Sequence, residues 1–292
     1  MQKPRNVFVV LLVPLGLLLP VAAAAAPLAM YAKDTLSVEI AGYTEDVDVF
    51  RPTSGPSAGV AIIAHGFTRS RIRHRNLGRA LAEAGVTAVI PDLPNLMDLW
   101  GNGDAIVELA QKVEAGALGA LPSEPSRLVL VGTSAGGLAT VLAAAKLSGL
   151  AGWIGLDPVD RTGSGSGAAA MVTAPGIVLL GGASSCNLFG SGRDIARALP
   201  HLVRSTAMKD STHCDFEDPT TNFCRVLCGG SSSEMQERIR DETVRATLEL
   251  LRMAAARVEP PPPADAPDAL AAPVPAAATV PPDPTGDPDP KP

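Results

Sequence analysis

Leu128-Val129-Leu130-Val131-Gly132-Thr133-Ser134-Ala135-Gly136 decides the fold. A four-residue apolar run reads as a buried strand, and the Ala/Leu-rich sequence after Gly136 reads as a helix. The pentapeptide between them has the G-x-S-x-G form of a sharp strand-to-helix turn. Such a turn is so tight that the positions two before and two after the serine, Gly132 and Gly136, have almost no room for a side chain. The motif gains weight from its placement, since a chain with 28 glycines produces small-residue pentapeptides by chance.

Outward from that turn, short β-rich runs alternate with helical segments from about residue 34 to residue 257. Leu36–Ile40 and Val47–Arg51 read as an opening hairpin. Val60–Ala64, Val86–Ile90, Trp153–Leu156, Ile177–Leu180 and Leu202–Met208 read as further strands. Helices are expected over Asn76–Ala84, about 104–114, about 193–199 and about 233–256. The alternation predicts an α/β fold with a mostly parallel central sheet and helices on both faces, whose ligands bind at the carboxyl ends of the strands.

The ends of the chain read differently. Residues 1–26 carry Lys3 and Arg5, an apolar run from Val7, and a small-residue stretch from Ala22 to Ala26, the pattern of a secretory signal peptide. An uncleaved membrane anchor is the rival reading. Pro14, Gly16 and Pro20 interrupt the run, which falls short of the ~20 apolar residues a span needs. Cleavage removes two cations and no acid, making the net charge two units more negative than −6. An acidic exported protein is a poor nucleic-acid binder. Residues 258–292 form a Pro/Ala-rich tail holding 13 of the 27 prolines. Such a composition buries too little apolar surface to offset its ordering entropy. The catalytic domain is therefore expected over 27–257, secreted or periplasmic, with surface association open and oligomeric state unassigned.

A serine hydroxyl is a weak nucleophile and needs a base, which in turn needs an orienting carboxylate. In strand–turn–helix serine enzymes the acid and then the histidine follow the serine in the chain. Of the four histidines, only His201 and His213 follow Ser134. His201 opens the last strand at the far end of the sheet, whereas His213 follows that strand on the serine's side. For the acid, Asp157 directly follows the Trp153–Leu156 strand, with Asp160 as runner-up. The loop Gly181–Asn187, after the next strand, offers no carboxylate. The oxyanion donors are expected to be the N–H groups of Ala135 and of Phe67, in the His65-Gly66-Phe67 turn after the Val60–Ala64 strand. His65 is expected to prop that loop. Arg69, Arg71, Arg73 and Arg75 read as a solvated run leading into a helix, with anion binding as the alternative.

Together these features predict an exported serine carboxylic-ester hydrolase that needs neither metal nor organic cofactor and takes a small-molecule or lipid-like ester. A neutral imidazole base requires activity to fall as pH drops through the ordinary histidine range of roughly 6 to 7. An acyltransferase or thioesterase on the same residues is the nearest alternative, and a catalytically silent binding protein a more distant one. Cys186, Cys214, Cys224 and Cys228 favour two disulfides in an exported chain, with three pairings open. Zinc competes for these cysteines but lacks a second histidine at ligand spacing.

The assembled residues resemble the α/β-hydrolase fold, over about Thr35–Arg252, and within it the branch of chlorophyllase-like and poly(ethylene terephthalate)-hydrolase-like esterases. His65-Gly66-Phe67 is similar to the H-G oxyanion motif of that branch. Ile154-Gly155-Leu156-Asp157-Pro158-Val159 is similar to the I-G-x-D-P-V segment of chlorophyllases, and His213-Cys214-Asp215 to their H-x-D segment. The resemblance implies a triad of Ser134, Asp157 and His213. It also implies a Cys186–Cys214 disulfide, leaving Cys224 to pair with Cys228. The chain departs in carrying Thr133 and Ala135 where chlorophyllases flank the serine with histidine and arginine.

Overall fold

A computed structural model describes residues 30–95, 98–122 and 124–258. The expected signal segment, 1–26, and the expected tail, apart from Val258, lie outside the described residues. In chain order the strands are β1 (Tyr31–Ile40), β2 (Tyr43–Pro52), β3 (Val60–Ala64), β4 (Thr87–Pro91), β5 (Leu128–Thr133), β6 (Gly152–Leu156), β7 (Gly176–Leu180) and β8 (Leu202–Ala207). The helices are α1 (Arg75–Glu83), α2 (Leu99–Glu114), α3 (Ala135–Ala144), α4 (Ser164–Ala169), α5 (Gly192–Ala198), α6 (Asn222–Cys228) and α7 (Ser233–Val258).

All eight strands form one sheet in the order β1-β2-β4-β3-β5-β6-β7-β8. The pairs β1–β2 and β2–β4 are antiparallel, and every later pair is parallel. The central strands are apolar without interruption because both faces of a parallel sheet are covered by helices. Successive residues serve opposite cores. Val60, Ile62, Leu128 and Leu130 pack against α2, α3, α4 and α5, whereas Ala61, Ile63, Val129 and Val131 pack against α1 and α7. Burying one such Ile or Leu fully contributes about 1.5–3 kcal/mol. The sheet is thus the shared floor of two apolar layers.

Connectivity fixes where a site can form. From β3 the chain moves through α1 to β4 on one side, and α2 then carries it back across β3 to β5. From β5 it winds steadily the other way through β6, β7 and β8. Because crossovers are right-handed, the reversal of direction puts α1 on one face and α2 to α5 on the other. The reversal lies between β3 and β5, and the loops leaving their carboxyl ends are pushed apart into a crevice.

The sequence-expected elements are present with adjusted ends. β1 begins at Tyr31, five residues before the expected start, and α2 begins at Leu99 rather than near 104. The Gly/Ser/Ala-rich stretch 161–174 contains α4, whose Ala168 and Ala169 are buried. α6 was not anticipated.

Candidate active site

The turn after β5 has the conformation its glycines allow. Ser134 sits at φ 56°, ψ −123°, a strained backbone for a residue with a side chain. Its carbonyl accepts the N–H groups of Gly137 at 2.9 Å and Val159 at 3.1 Å, so the turn is held by α3 and by the loop after β6. A Cβ on Gly132 would collide with Thr140 Oγ1 and the Gly136 carbonyl, and one on Gly136 with the carbonyls of Ala64 and His65. Trp153 Nε1 donates to Thr140 Oγ1 at 3.0 Å, and that hydroxyl donates to the Gly136 carbonyl at 2.9 Å, locking the first turn of α3 to β6.

The structure brings Ser134, His213 and Asp157 into one chain of hydrogen bonds. Ser134 Oγ lies 2.9 Å from His213 Nε2, and His213 Nδ1 lies 2.6 Å from Asp157 Oδ2. Asp157 follows β6 in a left-handed conformation, φ 44°, with its N–H donated to the Leu179 carbonyl at 2.7 Å. Its carboxylate is 1% exposed, and such a charge needs partners. It has them: Gly181 N–H donates to Oδ1 at 2.9 Å and Asn187 Nδ2 to Oδ2 at 3.1 Å. Asn187 is fully buried and is itself held, its Oδ1 accepting from Ser184 and Gly190 N–H groups. His213 opens a short 3-10 turn, His213–Phe216, capped by Thr212 and Asp215.

The rival residues lie elsewhere. His201 is exposed just before β8, at the opposite end of the sheet. Asp160 is buried but accepts the N–H groups of Thr162 and Ser166, at 3.3 and 3.0 Å, and does not reach His213.

Gly66 packs against the serine so closely that a Cβ there would lie 3.2 Å from Ser134 Cβ. The N–H groups of Phe67 and Ala135 donate to no other described group, and both residues line the hollow around Ser134. His65 spans the base of this loop: Nδ1–H donates to the Gly66 carbonyl at 2.9 Å and Nε2 accepts Leu93 N–H at 3.0 Å. These partners fix the neutral tautomer, and burial pushes its pKa below the ordinary histidine value.

The arginine run is neither solvated throughout nor free. Arg69 pairs with Glu217 at 2.7 Å, tying the loop after β3 to the segment after His213. Arg71 meets Asp46, Asp48 and Asp92, and Arg73 donates to the Pro219 carbonyl at 3.1 Å. Charge pairing across the loops, rather than hydration, is why Arg69 and Arg71 are partly buried.

Two disulfides are present, as the cysteine count led one to expect, but neither is a pair the resemblance implies. Cys186 joins Cys228 with Cα atoms 5.6 Å apart, and Cys214 joins Cys224 at 5.8 Å. The reason is α6. Cys224 and Cys228 lie one helical turn apart and point the same way, so each reaches inward to a different loop. The sulfurs of Cys214, Cys224 and Cys228 lie within 4.8 Å of one another, but all are engaged in disulfides.

Ser134 opens into a hollow of about 450 Å³ walled by Phe67, Leu99, Trp100, Leu138, Val159 and Leu188. A smaller one of about 120 Å³ lies behind the His65–Arg69 loop, against Asn95 and Asn102. Larger hollows of about 790 and 730 Å³ flank α7, and neither contains a paired nucleophile and base. Sequence reasoning missed Asn187, Trp100 and Leu188. Asn187 had a signal, being the one side-chain amide in the loop beside the candidate acid; the other two had none. Among the described residues no helix is long and apolar enough to cross a membrane.

No family model matches the chain, and no curated protein matches it in sequence. Among solved structures, the dienelactone hydrolase from Anabaena variabilis ATCC 29413 is similar, with a TM-score of 0.52 and 18% identity. The match covers 61% of this chain and 85% of that one. The sheet order, the crossovers and this likeness together show that the chain has the α/β-hydrolase fold.

Proposed function

We propose that this protein is an exported serine hydrolase of carboxylic esters that works through an acyl-enzyme. The observation that carries the reading is the continuous relay Ser134 Oγ–His213 Nε2–His213 Nδ1–Asp157 Oδ2, at 2.9 and 2.6 Å, opening into an apolar hollow. In this reading Ser134 Oγ attacks the ester carbonyl carbon while its proton passes to His213 Nε2. The negative oxygen of the tetrahedral intermediate is held by the N–H groups of Phe67 and Ala135. The bond to the alcohol oxygen then breaks, and the alcohol leaves with the proton from Nε2. Water attacks the acyl-serine, gives a proton to Nε2, and releases the carboxylic acid as the proton returns to Ser134 Oγ.

Asp157 holds Nδ1–H throughout, keeping Nε2 free to accept and stabilising the imidazolium that forms. Gly181 and Asn187 fix the carboxylate so that it cannot rotate away. The chemistry so written calls for no metal and no organic cofactor. The solved neighbour of the same fold bears the name of a hydrolase of a lactone, an internal ester, and this supports the class of reaction. Two disulfides support export, since such bonds persist in oxidising compartments.

The test is turnover of short and medium p-nitrophenyl esters by the full chain and by Ser134→Ala. A loss on the order of 10⁴-fold or more is expected on substitution. Equal turnover by both proteins would overturn the reading. An acyl-enzyme that forms but is resolved only by an added alcohol or thiol would assign acyl transfer instead.

A further inference from the structure

Among the residues lining the hollow around Ser134, one is a cation with no place in the reaction just described. Arg161 lines the 450 Å³ hollow, otherwise walled chiefly by apolar side chains, and is exposed. Its guanidinium makes no ion pair or hydrogen bond with any described residue. Other arginines near the strand ends are engaged: Arg69 with Glu217, Arg71 with Asp46, Asp48 and Asp92, and Arg193 with the Phe189 carbonyl. The one carboxylate on the lining, Asp98, caps α2 by accepting Gly101 N–H at 2.9 Å. Arg161 is therefore a cation without a partner, facing a hollow in a chain of net charge −6.

The backbone that carries it is built to stay in place. Two residues earlier, Val159 N–H is bound to the Ser134 carbonyl at 3.1 Å. One residue earlier, Asp160 N–H is bound to Ser191 Oγ at 3.0 Å. The buried Asp160 carboxylate then brackets Arg161 by accepting Thr162 N–H at 3.3 Å and Ser166 N–H at 3.0 Å. The short segment that begins with Asp157 is thus clamped on both sides of Arg161. A guanidinium carried on that anchored backbone offers paired N–H donors in the geometry a carboxylate or phosphate accepts.

We propose that Arg161 is a specificity-determining residue, and that the preferred substrates are esters whose apolar arm ends in an anionic group, a carboxylate in the first instance. The wall of Phe67, Leu99, Trp100, Leu138, Val159 and Leu188 takes the apolar arm, and Arg161 takes its charged end. A hollow of 450 Å³ is of the size that holds a small organic ligand. This inference rests on the esterase reading above.

The test uses two matched pairs of esters with the full chain. In one pair the charge is on the acyl arm, p-nitrophenyl hydrogen suberate against its methyl ester. In the other it is on the alcohol arm, acetoxy-octanoate against its methyl ester. The readout is the ratio of kcat/KM for the anionic ester to that for the neutral one. A ratio above unity is expected in one pair, falling roughly 10-fold in Arg161→Gln, partly kept in Arg161→Lys and reversed in Arg161→Glu. The exposed Arg197→Gln, on α5 and paired with Asp194, should leave it unchanged. In the unsubstituted protein the ratio should also shrink as salt rises and screens the pair. This last readout depends on no variant's folding. A ratio at or below unity in both pairs, or one that Arg161→Gln leaves intact, overturns the proposal while turnover of the neutral esters upholds the esterase. No turnover of any of these esters removes both.

Discussion

His74 gives the sharpest stability prediction. It is 1% exposed, lies between the loop after β3 and α1, and its Nε2 has no hydrogen-bond partner. Burial lowers its pKa from 6.5 to about 3, with smaller contributions from His65 and Arg73. The unfolded chain therefore takes up this proton near pH 6.5, and the folded chain only near pH 3. Because the unfolded state binds more protons between these values, stability is complete above about 6.5 and is lost as pH falls toward 3. At pH 5 the shortfall is about 2 kcal/mol, taking 1.36 kcal/mol per pH unit over the interval below 6.5. His74→Leu removes the titrating ring and the unpaired nitrogen together. Urea unfolding followed by tryptophan fluorescence at pH 7.5 and pH 5 should show that the variant loses about 2 kcal/mol less between the two conditions than the unsubstituted protein. Parallel losses in both proteins would refute the argument that His74 is held neutral. His65, also lowered by burial, and Asp48, held low against its burial by its bonds to Lys33, Thr35 and Arg71, add acid sensitivity that remains in the variant.

Three further outcomes follow from the site. Asp157→Asn preserves the shape of the loop but presents an amide to His213 Nδ1, allowing the wrong tautomer; kcat for p-nitrophenyl esters should fall by about 10⁴-fold with KM little changed. Asn187→Ala removes a buried hydrogen bond to the Asp157 carboxylate, a loss of about 1.5–3 kcal/mol. It should depress kcat by roughly 10- to 100-fold, and unchanged kcat would remove Asn187 from any positioning role. Non-reducing peptide mapping should return Cys186 linked to Cys228 and Cys214 linked to Cys224. Recovery of Cys224 joined to Cys228 would contradict the arrangement of α6.

The parallel core was legible because it is written in uninterrupted apolar runs, which only a sheet covered on both faces can bury. Val60–Ala64, Leu128–Val131 and Trp153–Leu156 all lie where their composition puts them. Ser134 and Asp157 could be singled out because each directly follows such a strand, and His213 because it is one of only two histidines after Ser134 and lies in the loop after the last strand. What the sequence concealed was decided by contacts between distant segments. The outer part of β1 is polar and mostly exposed, so no burial pattern marks it. The start of α2 carries Gly101 and Gly103, poor helix formers, and is set by the Asp98 cap and by packing of Gly103 against Leu142. α6 holds two inward cysteines and an exposed apolar face at Phe223, Val226 and Leu227, so hydrophobic periodicity points the wrong way. The cysteine pairing implied by the resemblance failed because α6 directs Cys224 and Cys228 to two different loops.

The central claim is that Ser134 is the activated nucleophile, and covalent trapping tests it most directly. The full chain is treated with a p-nitrophenyl alkylphosphonate, release of p-nitrophenolate is followed, and the modified peptide is located by mass spectrometry. The account predicts a stoichiometric adduct on Ser134 that Ser134→Ala abolishes and His213→Ala slows severely. An adduct on another residue, or none on correctly folded and disulfide-bonded protein, would contradict it.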